Sequence, residues 1–316
     1  MTVEHLVEPK QLDLFVDGRD AVLVHEVLTS LVARDPDQAA IRLARLRDDH
    51  PSHPDLAALT LLADSLLAQP SAPATHAGLT ASVETMEREL APAARRFLET
   101  ESATFLRPLW RTLAAMAASL PFDDTHPRAH AGWLCQQYDD WAAVRVAVEA
   151  EPDWAAKPVL RCWMGLARHH LGEPEVAIRL WLPLCWRDPV LFARHAPMLP
   201  SAAVREGWDA FERASAFDEL LGDTSYASHP ATWFPAWLLL RHRGLARLFH
   251  AEDIPHAGAA AEAFRALLAL LPLENGSLSE ELIARRRALR QLNPGFFRCY
   301  MDVVVGQSRP LKGRSS

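Results

Sequence analysis

The chain has 316 residues, of which 49% are hydrophobic and 23% charged, a composition typical of a globular protein with enough apolar material for a core. Its 33 basic and 40 acidic residues give a net charge of −7, which disfavours broad binding to nucleic acid or to an anionic membrane, since both select a basic surface. No apolar run approaches the ~20 residues of a membrane span, and the N-terminus lacks the basic start and apolar core of a signal peptide, so we expect a cytoplasmic protein.

The first 19 residues contain a short motif followed by the turn signal Asp17-Gly18. The motif consists of Gln11, Leu12, Asp13, Leu14 and Phe15. It resembles the pentapeptide QL(S/D)LF by which bacterial DNA-polymerase and repair proteins dock on the replication sliding clamp. The resemblance implies that Gln11 hydrogen-bonds at one end of an extended peptide while Leu14 and Phe15 enter an apolar pocket. The alternative is a structural strap that packs on the first helices, because Asp20 follows Phe15 by only five positions.

Residues 20–120 predict a succession of helices. Asp20 can cap a first helix, and Asp35-Pro36-Asp37-Gln38 is a start signal for a second, which ends before Pro51. A third helix is expected from Asp55 to Ala68.

The run QPSAPATHAG then predicts a surface loop or hinge, because it is rich in Pro, Ala and Ser. Helices over 79–98 and 102–119 follow. Each contains a proline, Pro92 or Pro108, which we expect to kink or interrupt it.

The clearest pattern in the chain is the stretch 158–189, which predicts two antiparallel helices joined by a turn at 171–174. Gly165 allows the two backbones to approach, and Gly172 suits the left-handed residue that ends the first helix. Ala177 is the small residue at the helix crossing, and Trp181 fills the space beside it. Pro183 falls inside the second helix and predicts a kink there.

Gly, Gly, Ala, aromatic and Pro at these offsets resemble the tetratricopeptide repeat, a helix–turn–helix unit of about 34 residues. Partial matches recur elsewhere, at Ala39, Leu43 and Pro51, at Gly132 and Val144, and at Ala260, Phe264, Leu267 and Pro272. The resemblance implies an all-α, right-handed helical-repeat solenoid with irregular ends, whose usual role is to bind other proteins.

The C-terminal third is less regular. We expect a helix from Ser201, a long helix over 231–250, and a capping box at Ser277–Glu280 that opens a final, basic helix. That helix should end at Asn293-Pro294-Gly295. The predicted organisation is an N-terminal segment 1–19, a helical region 20–120, repeats with a terminal capping helix over 121–306, and a disordered tail 307–316.

The tetratricopeptide resemblance also implies a groove lined by the first helix of each unit. In this sequence the positions that would line it are His126, Trp133, Gln136, Val159, Cys162, Leu166 and His169. They do not reproduce the Lys/Asn constellation that holds a peptide carboxylate, so a receptor for C-terminal carboxylates is not expected. The groove would bind a peptide or another subunit; alternatively, the chain itself covers it.

The residues that could carry chemistry do not form a recognisable centre. Four widely spaced cysteines predict buried thiols, and the adjacent His169 and His170 point about 100° apart on a helix. His126 and His130, with Asp123, could share an ion, but Pro127 leaves their geometry undefined. No HExxH, GxSxG, phosphate-binding loop or dinucleotide fingerprint is present. We therefore predict no catalytic residue, no metal and no cofactor.

These observations favour a non-catalytic scaffold or adaptor, tethered to a bacterial sliding clamp through residues 11–15. A general assembly factor that does not bind the clamp is the alternative, and an enzyme on a helical fold is the minor one. Neither direct nucleic-acid binding nor membrane binding is expected.

Overall fold

A computed structural model describes residues 17–67, 75–214, 229–249, 254–255, 258–275 and 278–308. The clamp-like motif at 11–15 and most of the predicted tail lie outside these residues. Within them every regular element is a helix, which confirms the all-α class. None of the helices described is both long enough and apolar enough to cross a membrane.

The chain divides into two compact units, Met1–Asp140 and Trp141–Ser316. This division falls 20 residues after the end of the helical region 20–120 that the sequence predicts. It therefore passes through the partial repeat, leaving Gly132 in the first unit and Val144 in the second with the complete repeat at 158–189.

The first unit consists of seven α-helices in its described part, with short 3-10 turns between some of them. They are α1 (Asp17–Val32), α2 (Pro36–Asp49), α3 (Leu56–Leu67), α4 (His76–Thr85), α5 (Ala91–Leu98), α6 (Ser102–Ala117) and α7 (Ala131–Gln136). Helix α1 packs on α2, α3 and α5, whereas α6 packs on α4, α5 and α7. The core between them is largely aliphatic and includes the fully buried Val27, Leu31, Leu59 and Leu62, with Phe105 and Trp110 also buried.

The predicted helix signals of the first unit are confirmed locally. The Asp35 carboxylate accepts a hydrogen bond from the Gln38 amide at 3.0 Å, as expected of an N-cap before Pro36. Pro92 follows a π-helical turn at Met86–Leu90, so the predicted interruption takes the form of a widened turn between α4 and α5. Pro108 lies inside α6.

The second unit contains ten described α-helices. They are α8 (Trp141–Glu149), α9 (Pro158–His170), α10 (Pro174–Trp181), α11 (Leu184–Arg187), α12 (Pro189–His195), α13 (Ala202–Arg213), α14 (Phe234–Arg241), α15 (Ala259–Leu270), α16 (Glu280–Leu292) and α17 (Pro294–Ser308). Successive helices pack on one another from α8 to α12, and again from α13 to α17. Their core contains large rings, among them Trp181, Trp237, Phe264 and Phe296.

Two predictions about the second unit are wrong. The long helix over 231–250 ends as an α-helix at Arg241, and a 3-10 helix (Arg243–Leu248) follows, because Gly244 is a poor helix former just after the break. The basic helix α16 ends at Asn293, as predicted, but it is not the final helix. Pro294 begins α17, which buries Phe296 and Tyr300 completely.

The capping prediction needs a smaller correction. Ser279 caps α16, accepting a hydrogen bond from the Leu282 amide at 3.1 Å, and Glu280 is the first residue of that helix. Ser277 lies outside the described residues.

Candidate functional site

The hairpin of α9 and α10 is built around one close approach. A Cβ placed on Gly165 would lie 2.1 Å from Nε1 of Trp181, so only glycine leaves room for the indole. The same Nε1 donates a hydrogen bond to the Cys162 carbonyl at 3.1 Å. Ala177 and Trp181 are both fully buried, and Gly172 has a φ of 87° at the end of α9. The residues that the sequence singled out therefore meet in one interface.

The break at Pro183 is held by a buried arginine of α9. Pro183 has no N–H, so the Arg179 carbonyl one turn earlier loses its helical donor. Arg161, which is 8% exposed, donates to that carbonyl at 3.2 Å and to the Leu180 carbonyl at 2.8 Å. The guanidinium group thus replaces the donor that the proline removes from the Arg179 carbonyl and also bonds to the neighbouring Leu180 carbonyl, and α11 begins just beyond.

The predicted groove residues of α9 differ in accessibility. Val159, Leu166 and His169 are half-buried, but Cys162 is only 2% exposed and belongs to the core. The ring of His169 lies 5.9 Å from that of Trp181, and burial, with a smaller contribution from His170, lowers the pKa of His169. Val159, Leu166 and His169 therefore form a partly accessible strip on α9, next to the half-buried Arg168 and the exposed His170.

Polar and stacking contacts fix the turn end of this hairpin. The ring of His170 stacks on Trp141 of α8 at 4.0 Å with 7° between the planes. Arg168 donates to Glu149 and to Glu173, each at 2.9 Å. Together these contacts hold α8, α9 and α10 in a fixed mutual arrangement.

The other predicted groove residues lie in the first unit. The ring of Trp133 meets Trp110 edge-on at 6.0 Å, and Gln136 donates its amide to the Gly132 carbonyl at 3.1 Å. His126 contacts the Asp123 carboxylate at 3.1 Å. Hydrogen bonds from Thr125, with that from His126, lower the pKa of Asp123 to about 2. These contacts support the entry to α7.

His130, weighed as a metal ligand together with His126, has another role. It is buried, and its Nδ1 accepts a hydrogen bond from the Gly132 amide at 3.0 Å, which caps α7. Among the residues that the structure describes, no group of three or more His, Cys, Asp or Glu side chains is arranged to hold a metal ion.

A pocket that sequence reasoning missed lies between α5 and α6 in the first unit. We call it the α5–α6 pocket; its volume is about 440 Å³, and the side chains that define it are Glu87, Arg95, Leu106, Arg107, Tyr138 and Asp139. Arg95 and Arg107 are 12 positions apart on successive helices, so they do not form a recognisable sequence motif. The only sequence signal is the presence of arginines on both predicted helices.

Some charged side chains of the α5–α6 pocket have a partner within the described part of the chain, and others do not. Glu87 is paired with Arg128, and the guanidinium group of Arg111 lies over the Tyr138 ring, 5.6 Å from its centre. Burial, and a hydrogen bond to Cys135, raise the pKa of Tyr138, so its hydroxyl stays protonated. Arg95 and Arg107 are exposed, and neither is paired with any acidic side chain of the described chain.

Comparison with known proteins adds no family to this picture: the chain matches no protein-family model, no curated protein and no solved structure.

Proposed function

We propose that this chain is a non-catalytic protein–protein interaction scaffold of the helical-repeat type, with a tetratricopeptide-like unit at 158–189. One observation carries the proposal. In the α9–α10 hairpin, Gly165, Ala177 and Trp181 pack the helices together, while Val159, Leu166 and His169 remain partly open to solvent on α9. A surface held rigidly by its helices can bind a partner with little loss of conformational entropy.

We further propose that the scaffold is an adaptor, whose residues 11–15 dock on a bacterial DNA sliding clamp. The support is the sequence of the motif, in which Leu14 and Phe15 are the adjacent apolar side chains that such a docking peptide inserts into a pocket. The helical body would then present a second protein to the clamp.

The adaptor proposal is tested by measuring binding of the full chain to a purified bacterial sliding clamp by surface plasmon resonance. We expect micromolar affinity, and its loss in the double variant Leu14→Ala with Phe15→Ala, because these side chains fill the apolar pocket. The control is Leu6→Ala with Val7→Ala, outside the motif, which should bind normally. Absence of binding by the unaltered chain would reject the adaptor role.

The scaffold without clamp binding is the second candidate, favoured by the α9 surface itself. Affinity purification from the native cell should recover a protein that is lost on Leu166→Glu, and the parallel variant Trp133→Glu tests the first unit. Val146→Glu is the matched control, because Val146 is already 61% exposed on α8. If Leu166→Glu retains every partner while its circular dichroism is unchanged, the surface of α9 is not the binding site.

A further inference from the structure

We propose that the α5–α6 pocket binds an acidic segment of a partner protein, with Arg95 and Arg107 holding its carboxylates. This inference rests on the proposed interaction function but concerns a different surface from α9 and from residues 11–15. It assigns a class of partner to a cavity that the sequence did not reveal.

The first support is the state of the two arginines. Neighbouring arginines of the same unit are engaged: Arg96 pairs with Asp55 at 2.5 Å, and Arg128 pairs with Glu87. Arg95 and Arg107 line the cavity without such a partner in the part of the chain that the structure describes. A guanidinium group presents a planar set of donors that fits a carboxylate, so two of them beside one cavity select an acidic ligand.

The second support is the apolar part of the pocket lining. Leu106 and Trp110, which are 8% and 5% exposed, line the same cavity as the charged side chains. The methylene groups of a glutamate, or an apolar residue beside it, can pack on this apolar part while the carboxylate reaches the arginines. Arg111, over the Tyr138 ring, adds a third positive charge nearby.

Two acidic side chains oppose an acidic ligand in this pocket: Glu87, which is paired with Arg128, and Asp139. Asp139 is exposed, and its backbone has a φ of 60°, a conformation that asparagine also adopts readily. Its charge should weaken an acidic ligand. Because Asp139→Asn removes the charge without changing the backbone preference, it provides a test in the opposite direction from the arginine variants.

The shape favours a protein segment over a free small molecule. Small-molecule sites bury most of their ligand behind predominantly apolar walls. Here Arg95, Arg107 and Asp139 are all exposed, so the walls are charged and open. A cavity of about 440 Å³ can take a few side chains of a longer segment whose backbone remains outside.

The experiment selects phage-displayed random heptapeptides on the immobilised full chain. We expect the selected peptides to be enriched in clustered Glu and Asp, and a synthetic copy to bind by fluorescence anisotropy. Arg95→Gln with Arg107→Gln should weaken that peptide about tenfold or more, because each loses a charge-assisted hydrogen bond. Asp139→Asn should strengthen it about threefold, and raising the salt concentration should weaken it.

The matched control is Arg45→Gln with Arg47→Gln, which removes two exposed charges from α2 of the same unit and should leave binding unchanged. Selected peptides without an excess of acidic residues, or equal binding by the Arg95/Arg107 variant, would overturn the proposal. If glutarate binds as tightly as the peptide, the ligand of the pocket is a free dicarboxylate and not a protein segment. A selection that returns no peptide also rejects this site, while the clamp measurement still judges the adaptor role separately.

Discussion

The hairpins α1–α2 and α9–α10 solve one packing problem with different side chains. Each hairpin has a left-handed residue in its turn, Arg34 in α1–α2 and Gly172 in α9–α10. Five positions after it, the second helix carries a small alanine, Ala39 or Ala177 respectively. The offsets that place Gly165 and Trp181 in α9–α10 place Val27 and Leu43 in α1–α2, and all four are buried. By these offsets, Val27 and Leu43 occupy the positions in α1–α2 that Gly165 and Trp181 occupy in α9–α10.

The difference between these two pairs of side chains indicates what the helix crossing of the repeat requires. The constraint is the combined volume at the helix crossing, because interiors are close-packed and tolerate swaps that conserve volume. Neither glycine nor tryptophan is needed singly. This explains why the α1–α2 hairpin forms although its sequence matches the repeat only weakly.

The strongest test exchanges the pairs. Gly165→Val should destabilise the protein by about 3 kcal/mol or more, because a Cβ there would overlap the Trp181 indole. Trp181→Leu should cost about 3 kcal/mol by leaving a cavity. The double variant, which reproduces the Val27 and Leu43 pair, should be more stable than either single variant. Urea denaturation followed by circular dichroism measures all three.

Gly244→Val serves as the control for this exchange, because a Cβ at Gly244 meets nothing within 4 Å. If the two single effects simply add in the double variant, the volumes at the two positions are independent and the comparison of the hairpins fails.

Much of this fold follows from local signals in the sequence. The Asp35 cap, the turn at Gly172 and the position of the break at Pro183 were predictable because each is set by residues close by in the sequence. Helix α17 was missed because Asn293-Pro294 serves two purposes. Pro294 cannot continue α16, yet it is a favourable first residue for α17, where Asn293 accepts a hydrogen bond from the Phe296 amide at 2.8 Å.

The candidate sites were less predictable than the helices. Cys162 stood at a predicted groove position, but the close approach of α9 and α10 buries it. Arg95 and Arg107 come to one pocket only because α5 and α6 pack together, and nothing in their spacing shows which arginines lack an acidic partner. Such pairing is a tertiary property.

A second test concerns the length of the second helix. Helix α2 continues to Asp49, whereas α10 stops before Pro183 and relies on Arg161. Arg161→Leu should cost about 2 kcal/mol, because the carbonyls of Arg179 and Leu180 lose a buried donor. In a Pro183→Ala background the restored amide can bond to the Arg179 carbonyl, so the same change should cost about 1 kcal/mol less. Urea denaturation measures the free energy of unfolding of all these variants. Equal costs of Arg161→Leu in both backgrounds would show that Arg161 does not compensate for the proline.

A third test concerns the turn residue of α1–α2. Arg34 holds a φ of 55°, which is unfavourable for a residue with a side chain, but it donates to the Phe105 carbonyl of α6 at 2.7 Å. Arg34→Ala should cost about 2 kcal/mol, since it keeps the strain and loses the bond. Arg34→Gly should cost about 1 kcal/mol less, since it relieves the strain. Thermal unfolding ranks the two; a glycine variant no better than alanine would mean that the turn is not strained.

The smallest expected effect is at the corresponding turn of α9–α10. Gly172 has a φ of 87° and no atom within 4 Å of its would-be Cβ, so Gly172→Ala should cost about 1 kcal/mol through backbone strain alone. Gly172→Asn should cost less, because asparagine adopts left-handed backbone more easily. Gly244→Ala, where φ is not left-handed, is the control. Should alanine at position 172 prove neutral in urea denaturation, the left-handed backbone would not restrict the residue at this turn, and only helix packing would constrain both hairpins alike.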